Sequence, residues 1–205
     1  MVEEKSIFWR NICIVFSLIS VLWVVFILQF LSLINTAPYG NWPQHVEGLK
    51  GIIFSPFIHG SFEHLVSNTL PILVLLTVLL NAYPRLALPV LVFIHVASGT
   101  MVWLLAPEHG VHIGISGIIY GIAGFLVASG IFRKDRTAVL ISIFVVLLYG
   151  GMVAGFVPTQ GVSWQSHLYG AMSGIFIAYL VRNKDTPASQ ETETQEVEKH
   201  FFDEE

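Results

Sequence analysis

The sequence predicts an all-α membrane protein, a bundle of six transmembrane helices with both termini in the cytoplasm. Of its 205 residues, 54% are hydrophobic and only 12% charged, and the mean hydropathy is +0.71, which is too apolar for a water-soluble domain. The apolar residues collect in six long runs, and the basic residues fall on alternate connections between them. Together these observations predict a polytopic bundle.

The six runs are each near the roughly 20 residues that a helix needs to cross about 30 Å of hydrocarbon. They cover residues 12–34, 65–82, 86–105, 115–132, 138–156 and 164–181. The first run is longer than a signal-peptide core and is not followed by a small-x-small cleavage site, so we expect a retained helix. The predicted organisation is a cytoplasmic N-terminus at 1–10, a six-helix domain at 11–182 and an acidic, solvated tail at 183–205.

Orientation follows from the basic residues. The basic residues before the first run, between the second and third, between the fourth and fifth, and directly after the sixth are Lys5, Arg10, Arg85, Arg133, Lys134, Arg136, Arg182 and Lys184. Only Lys50 lies on the other side, in the long connection 35–63. The excess of basic residues on cytoplasmic loops therefore places both termini inside. We expect the aromatic-rich outer connection to fold partly into the membrane interface.

Polar residues inside membrane spans are costly and suggest function. The second, fourth and sixth runs enter from the outside, and each carries reactive side chains near that entry: His64 and Asn68, Ser116, and His167. His64 and Asn68 are four residues apart and share a helix face, as do Ser116 and Tyr120. Three helices thus bring polar groups to one layer of the bundle.

Small residues predict that the fourth and sixth helices pack closely. The glycines that would face each other are Gly117, Gly121 and Gly124 on the fourth run and Gly170 and Gly174 on the sixth. Such an approach would bring His167 to Ser116. Because serine is weakly nucleophilic without a base at hydrogen-bond distance, this pair suggests acyl transfer.

The remaining parts of an acyl-transfer site are also present. Asn68, His64 and the backbone N–H of Ser116 are candidate donors to an oxyanion, and Tyr120 is a candidate to pack against the His167 ring. All three aspartates lie in predicted cytoplasmic segments, which excludes an intramembrane aspartate pair and leaves a Ser-His dyad. Glu63 remains a second candidate for orienting a histidine. There is no H-E-x-x-H zinc motif, and we predict no metal, cofactor or nucleic-acid partner.

These motifs resemble those of the rhomboid intramembrane serine proteases. The similarity rests on the stretch 54–59 leading into His64-x-x-x-Asn68, on Gly114-Ile115-Ser116-Gly117 with Tyr120, and on His167-Leu168-Tyr169-Gly170 followed by Gly174. It implies a six-helix bundle with a water-filled cavity open to the outside. It also implies hydrolysis of transmembrane substrates near a small residue, with Ser116 and His167 as the dyad and His64 and Asn68 as oxyanion groups.

The chain departs from the pattern of that family at two places. The Trp-Arg pair expected in the first outer loop is absent around Trp42, and Tyr83-Pro84-Arg85 replaces an acidic motif before the third span. Both elements are structural in the family. How the outer loop is anchored is therefore open.

Two other functions would also account for polar residues in the spans. One is a small transporter or channel, and the other is a catalytically inactive rhomboid-like protein that binds membrane clients. We expect His95 to make an interhelical hydrogen bond and His59 to support the outer loop. The histidines expected to be solvated are His45, His109, His112 and His200. The expected location is a bacterial inner membrane, and the oligomeric state is open.

Overall fold

The computed structural model describes residues 2–108, 110–159 and 161–184. Its α-helices are α1 (Val2–Phe30), α2 (Gly51–Phe54), α3 (Phe62–Ala82), α4 (Ala87–Leu105), α5 (Ser116–Arg133), α6 (Arg136–Tyr149) and α7 (Trp164–Leu180). His109, His200 and almost all of the predicted acidic tail lie outside the described residues, so those predictions are not addressed.

Five helical stretches are long and apolar enough to cross a membrane. They are Lys5–Phe30, Phe62–Ala82, Ala87–Leu105, Ser116–Arg133 and Arg136–Phe156. The sixth predicted span corresponds to α7, which has 17 residues, at the short limit of about 17 to 25 residues for a crossing helix. The chain is thus an all-helical, multi-pass membrane protein over its described part, and the crossing of α7 stays a prediction.

The fifth predicted run is not one continuous α-helix. The α-helix ends at Tyr149, and the chain continues as a 3-10 helix over Gly150–Phe156. Two adjacent glycines follow Tyr149, and glycine has the weakest helix propensity after proline. The change to a tighter helix shifts the backbone groups that follow, which matters for the site below.

Local sequence explains where several helices begin. Ser61 caps α3 by accepting the N–H of His64 at 3.2 Å, and Asp135 caps α6 by accepting the N–H of Ala138 at 2.8 Å. Such caps satisfy donors that lack an intrahelical partner. The cap on α3 fixes the start of the helix that carries His64 and Asn68.

The central element of the bundle is α5, which contacts α3, α4, α6 and α7. Its buried side chains Ile122 and Phe125 belong to the same apolar core as Leu65 and Ile72 of α3 and Ile94 of α4. Since four helices pack against it, α5 is the helix on which the bundle is assembled.

At the opposite end of the bundle, Arg133 joins three segments. Its guanidinium donates to the carbonyl oxygens of Val181, at 3.3 Å, and Lys184, and it lies 5.1 Å from the centre of the Tyr83 ring. These contacts bring together the α3–α4 corner and the ends of α5 and α7. The predicted cytoplasmic basic residues of these segments therefore share one end of the bundle.

The outer connection between α1 and α3 is an ordered structure of short helices. Asn41 pairs with His112 through both backbone groups, at 3.0 and 2.9 Å, and its side-chain amide donates to the Gly99 carbonyl at 2.9 Å. The N–H of Gln44 donates to the carbonyl of Trp103 at 2.8 Å, and the Trp103 indole donates to the His45 carbonyl at 2.8 Å. The loop is therefore anchored to the end of α4 without the Trp-Arg pair.

His95 supports the same loop from α4. Its Nε2 lies 3.0 Å from the carbonyl oxygen of Ile52 and 3.1 Å from that of Ile53. The predicted interhelical hydrogen bond is therefore present, and its partner is the short helix α2 rather than another span. His59 also has the expected structural place, since its carbonyl accepts from the Gln29 amide at 3.2 Å and its ring is fully buried.

Candidate active site

The turn that leads into α5 can be made only by glycine. Gly114 has a φ of +100°, in the region that side chains disfavour. A Cβ at this position would also lie 2.6 Å from Cε1 of His64. The backbone N–H of Gly114 donates to the Ser55 carbonyl at 2.9 Å. This turn places Ser116 at the first position of α5, where backbone N–H groups have no partner within the helix.

Ser116 and His167 form a hydrogen-bonded pair. The Oγ of Ser116 lies 2.9 Å from Nε2 of His167, and both side chains are buried. They come from the N-terminal parts of α5 and α7, 51 residues apart in the sequence. The distance falls within the reach required between a serine nucleophile and its base.

Glycines on α5 and α7 allow this approach. A Cβ on Gly170 would lie 2.0 Å from the carbonyl oxygen of Gly117, and one on Gly174 would lie 1.9 Å from that of Gly121. Both distances are far below any real contact, so the two backbones touch where these side chains are missing. The structure brings four of the five predicted packing glycines together in two facing pairs, and the fifth, Gly124, faces the backbone of Ala171.

The other ring nitrogen of His167 is held by backbone. Its Nδ1 lies 2.8 Å from the carbonyl oxygen of Gly155, in the 3-10 helix after α6. A carbonyl only accepts, so Nδ1 carries the proton and Nε2 presents its lone pair to the Ser116 hydroxyl. This oriented tautomer is the one that a general base needs. The only feature of the sequence that points to Gly155 is its place in a glycine-rich stretch after α6.

Tyr120 packs flat against the base. Its ring is 4.1 Å from the His167 ring, centre to centre, at an interplanar angle of 5°. The Tyr120 hydroxyl donates to the Met152 carbonyl at 2.7 Å. A Cβ on Gly155 would meet that hydroxyl at 1.9 Å and Nδ1 of His167 at 3.0 Å. Tyr120 and the 3-10 helix thus fix the imidazole together.

His64 and Asn68 face the same cavity as the dyad. The cavity has a volume of about 1120 Å³, and its walls include His64, Asn68, Ser116, Tyr120 and His167. Asn68 is buried, and its side-chain nitrogen has no protein hydrogen-bond partner among the described residues. An unpaired buried amide donor next to a nucleophile is available to a developing negative charge. Glu63 lies at the exposed rim of this cavity.

A buried histidine lies behind His64. The rings of His59 and His64 meet edge to face, with centres 5.0 Å apart. Burial, the largest cause, and the neighbouring His64 together lower the pKa of His59 from 6.5 to about 4, against a weaker opposing effect of the Phe57 backbone. His59 is therefore neutral at pH 7 and packs against His64 without repelling it.

The prediction that His112 is solvated is wrong. Its side chain is 7% exposed and lines the cavity, where it hydrogen-bonds to Ser163. The loop before α5 is pulled inward because its backbone pairs with Asn41 of the outer loop. A histidine in a short loop can be buried in this way by a distant segment, which the local sequence does not indicate. His45, by contrast, is exposed as expected.

The cavity has the groups for acyl transfer rather than for metal chemistry. Across residues 2–108, 110–159 and 161–184, no three His, Cys, Asp or Glu side chains are grouped so as to hold a metal ion. The site instead combines a nucleophile, an oriented base and a buried amide donor. These are the parts expected of a serine hydrolase.

Comparison with known proteins identifies the family of the chain. A family model described as the Rhomboid domain matches residues 46–184. An uncharacterized protein of Mycobacterium tuberculosis is 32% identical over 176 residues, covering 82% of this chain and 73% of the relative, and one of Mycobacterium bovis gives the same figures. An uncharacterized protein of Mycobacterium leprae is 37% identical over 142 residues, covering 65% of this chain and 56% of the relative. Since the match extends from the outer loop through α7 and includes every residue of the cavity described above, the chain belongs to the rhomboid family.

Proposed function

We propose that this protein is an intramembrane serine endopeptidase, which hydrolyses peptide bonds of transmembrane proteins by a Ser116-His167 dyad. Rhomboid proteins are generally intramembrane serine proteases, although the family includes inactive members. The observation that carries the proposal is the 2.9 Å hydrogen bond between Ser116 Oγ and His167 Nε2, with Nδ1 held by Gly155.

In the proposed reaction, His167 Nε2 takes the hydroxyl proton as Ser116 Oγ attacks the scissile carbonyl carbon. The resulting imidazolium gives that proton to the leaving amine nitrogen, and the C–N bond breaks to leave an acyl-enzyme. A water then attacks the ester with His167 again as base, which releases the new carboxyl terminus and restores the serine hydroxyl. Throughout, the Gly155 carbonyl accepts from Nδ1 and keeps the ring in place.

The tetrahedral intermediate carries a negative oxygen that needs donors. Asn68 supplies an unpaired amide group, and His64 lines the same cavity. The N–H groups at the start of α5 are the third source, because the first turn of a helix has free donors and a positive partial charge. Gly114 leaves room for His64 at this position.

The proposed setting is a bundle of six crossings with both termini in the cytoplasm. Five apolar spans, together with α7, support it, as does the grouping of basic segments around Arg133. The cavity then opens toward the outer face, and the substrates are transmembrane proteins within the bilayer. Mycobacterial relatives fit a bacterial plasma membrane.

Two alternative functions would require a different arrangement of polar groups at this site. A client-binding protein without activity does not need a serine bonded to an oriented base. A transporter or channel needs polar groups along a path, whereas here a single hydroxyl at the N-terminal end of α5 is hydrogen-bonded to an oriented imidazole. The alignment of Ser116, His167 and Gly155 therefore favours an enzyme over both.

The decisive experiment combines labelling by a fluorophosphonate probe with cleavage of a model transmembrane substrate in detergent and in liposomes. We expect wild type to be labelled and to cleave, and Ser116→Ala to lose both, by at least about 10³-fold in cleavage. Ser129→Ala is the matched control, because Ser129 is a buried serine on the same helix and lies in the half remote from the cavity. Substantial cleavage by folded Ser116→Ala, or none by wild type, would exclude the proposed mechanism.

Asn68→Ala tests the oxyanion role in the same assay. Loss of one donor typically lowers the rate by about 10²- to 10³-fold, and the remaining donors should leave measurable turnover. Labelling of Ser116 should persist at a reduced rate. An unchanged cleavage rate would remove Asn68 from the site.

A further inference from the structure

A histidine outside the dyad, His112, contacts the segment that precedes His167. It lies in the loop between α4 and α5, and its backbone pairs in both directions with Asn41 of the outer loop. Its ring Nδ1 is hydrogen-bonded to the hydroxyl of Ser163 and lies 3.5 Å from that of Ser166. The two hydroxyls are themselves 2.6 Å apart. One imidazole nitrogen and two hydroxyls thus form a closed triangle.

Both serines belong to the turn that presents His167. The carbonyl of Ser163 accepts the backbone N–H of His167 at 3.3 Å, and Ser166 directly precedes His167 in the chain. The carbonyl of Ser166 also faces α5, where a Cβ on Gly117 would lie 3.2 Å from it. Any shift of this turn therefore moves the imidazole relative to Ser116.

The His112 ring is suited to this contact in its neutral form. Burial lowers the pKa of His112, so the ring is uncharged at pH 7 and one of its nitrogens is a free acceptor. Its partners are hydroxyls, which can donate as well as accept. The first turn of a helix otherwise has no intrahelical bonds for its early N–H groups and frays easily.

We propose that His112 is a positioning residue, which through Ser163 and Ser166 holds the first turn of α7 and keeps His167 within reach of Ser116. The effect on catalysis rests on the proposed function, whereas the effect on α7 does not. A base displaced by about 1 Å can cost on the order of 10²-fold in rate. His112 also links the outer loop to the base, because the same residue pairs with Asn41.

The test compares two substitutions of His112, one that keeps a polar atom at the position of Nδ1 and one that does not. An asparagine side chain reaches the position of Nδ1, the nitrogen that contacts the serines, whereas leucine fills similar space without a polar atom. We expect His112→Leu to lower kcat by about 10- to 10²-fold with little change in KM. His112→Asn should remain within about 3-fold of wild type. His95→Leu is the control, since His95 also joins a span to the outer loop but contacts α2.

A second measurement does not depend on activity. Amide hydrogen exchange of peptides covering residues 163–168, in the intact protein in detergent, should speed up in His112→Leu and not in His112→Asn or His95→Leu. If wild type shows no protease activity, the proposed function fails, and the exchange experiment still decides whether His112 holds α7. Unchanged exchange and unchanged kcat in folded His112→Leu would overturn the inference.

The serine side of the triangle gives an independent check if His112→Leu folds poorly. Ser163→Ala and Ser166→Ala leave the loop backbone intact and should raise exchange in the same peptides. A double-mutant cycle between His112→Leu and Ser163→Ala should be non-additive, because each change removes the same interaction. Additive effects, or serine variants with wild-type exchange, would contradict the proposed role.

Discussion

Helices α5 and α6 are adjacent in sequence and both strongly apolar, yet they differ in how far the rest of the protein buries them. In α5, 10 of the 18 residues are buried within the protein, whereas in α6 only Ala138 and Val145 are buried. The difference lies in small residues: α5 carries Gly117, Gly121 and Gly124, against which α7 packs, while α6 presents large side chains outward. A long apolar run indicates a membrane span, whereas the spacing of its glycines indicates whether other helices can pack closely around it.

The candidate site uses both kinds of helix. Ser116 lies on the enclosed α5, and the Gly155 carbonyl that accepts from His167 follows the lightly packed α6. The base therefore depends on one contact held by close backbone packing and on another held by a weakly enclosed segment. This contrast can be tested from either side.

The largest expected effect comes from separating α5 and α7. Gly174→Ala places a Cβ 1.9 Å from the Gly121 carbonyl oxygen, so the helices must move apart. We expect cleavage to fall by at least about 10²-fold and the free energy of unfolding to fall by about 1 to 3 kcal/mol. Cleavage of a model substrate and thermal unfolding in detergent measure the two effects.

Gly151→Ala is the matched control for this change. Gly151 lies in the 3-10 helix after α6, and a Cβ there would meet nothing within 4 Å. Its stability and cleavage should stay near wild type. Near-normal cleavage by Gly174→Ala would mean that close packing of α5 and α7 does not set the geometry of the dyad.

The next largest effect is expected from a change in the 3-10 helix that follows the lightly packed α6. Gly155→Ala places a Cβ 1.9 Å from the Tyr120 hydroxyl and 3.0 Å from His167 Nδ1, so the stacked ring or the base must shift. We expect kcat to fall by about 10²-fold with a smaller loss of stability than in Gly174→Ala, because few contacts hold this segment. Equal losses of stability in the two variants would remove the proposed contrast between the helices.

The contacts tested by these two variants differ in whether the sequence could predict them. The family assignment is confirmed, and five of the predicted spans coincide with helices long enough to cross a membrane. The structure brings Ser116 to His167, as the glycine spacing indicates, because side-chain size controls how closely two helices approach. The Gly155 contact could not be predicted, since every residue has a backbone carbonyl and only the switch from α6 to a 3-10 helix aims this one at the imidazole.

A third expectation concerns pH and the buried surroundings of His64. The pKa of His59 is about 4 in the folded protein and 6.5 as its ordinary value, so the unfolded chain binds the proton more readily. The stabilisation from neutral His59 is complete above pH 6.5, falls as pH decreases below that value, and is lost by about pH 4. The shift corresponds to about 3 kcal/mol.

Thermal unfolding in detergent at pH 7, 5.5 and 4 would measure this effect. His59→Phe removes the titrating group while keeping an aromatic ring of similar size, so its unfolding temperature should depend less on pH. His45→Phe is the control, because His45 is exposed. An equal pH dependence in wild type and His59→Phe would show that other groups are responsible.

The smallest effect is expected on the outward surface of α6. Leu147 is 79% exposed within the protein, and the surface it belongs to faces lipid in the proposed setting. Leu147→Ala should change neither cleavage nor unfolding by more than about 0.5 kcal/mol. A marked loss of activity with an intact fold would mean that this face of α6 contacts substrate or a second copy, and that α6 is not merely a lipid-facing span.

The parts of the fold that the sequence did not predict depend on contacts between distant segments. The anchoring of the outer loop was open because the Trp-Arg pair is absent, and the structure uses Asn41 and Trp103 instead. Gly48 and Gly51 allow the loop to fold this closely. A Cβ on Gly48 would lie 2.1 Å from the Trp42 carbonyl oxygen, and one on Gly51 would lie 2.2 Å from the Gly40 carbonyl oxygen. The glycines of the outer loop are a sequence signal for close packing, whereas the burial of His112 can be predicted only when the loop that packs on it is known.

The backbone partner of His167 has a consequence for how this protein could change over time. When a carboxylate orients a catalytic histidine, a single codon change can remove it. Here the acceptor belongs to the peptide group itself, and no side-chain replacement deletes it. Mutational drift can disturb the contact only by moving the chain, which makes the orientation of the base depend on the shape of residues 150–156 more than on their chemical identity. A replacement of the Gly155–Phe156 amide by an ester would weaken this acceptor and remove the Phe156 N–H without changing any side chain, and so test the contribution of this peptide group to the rate.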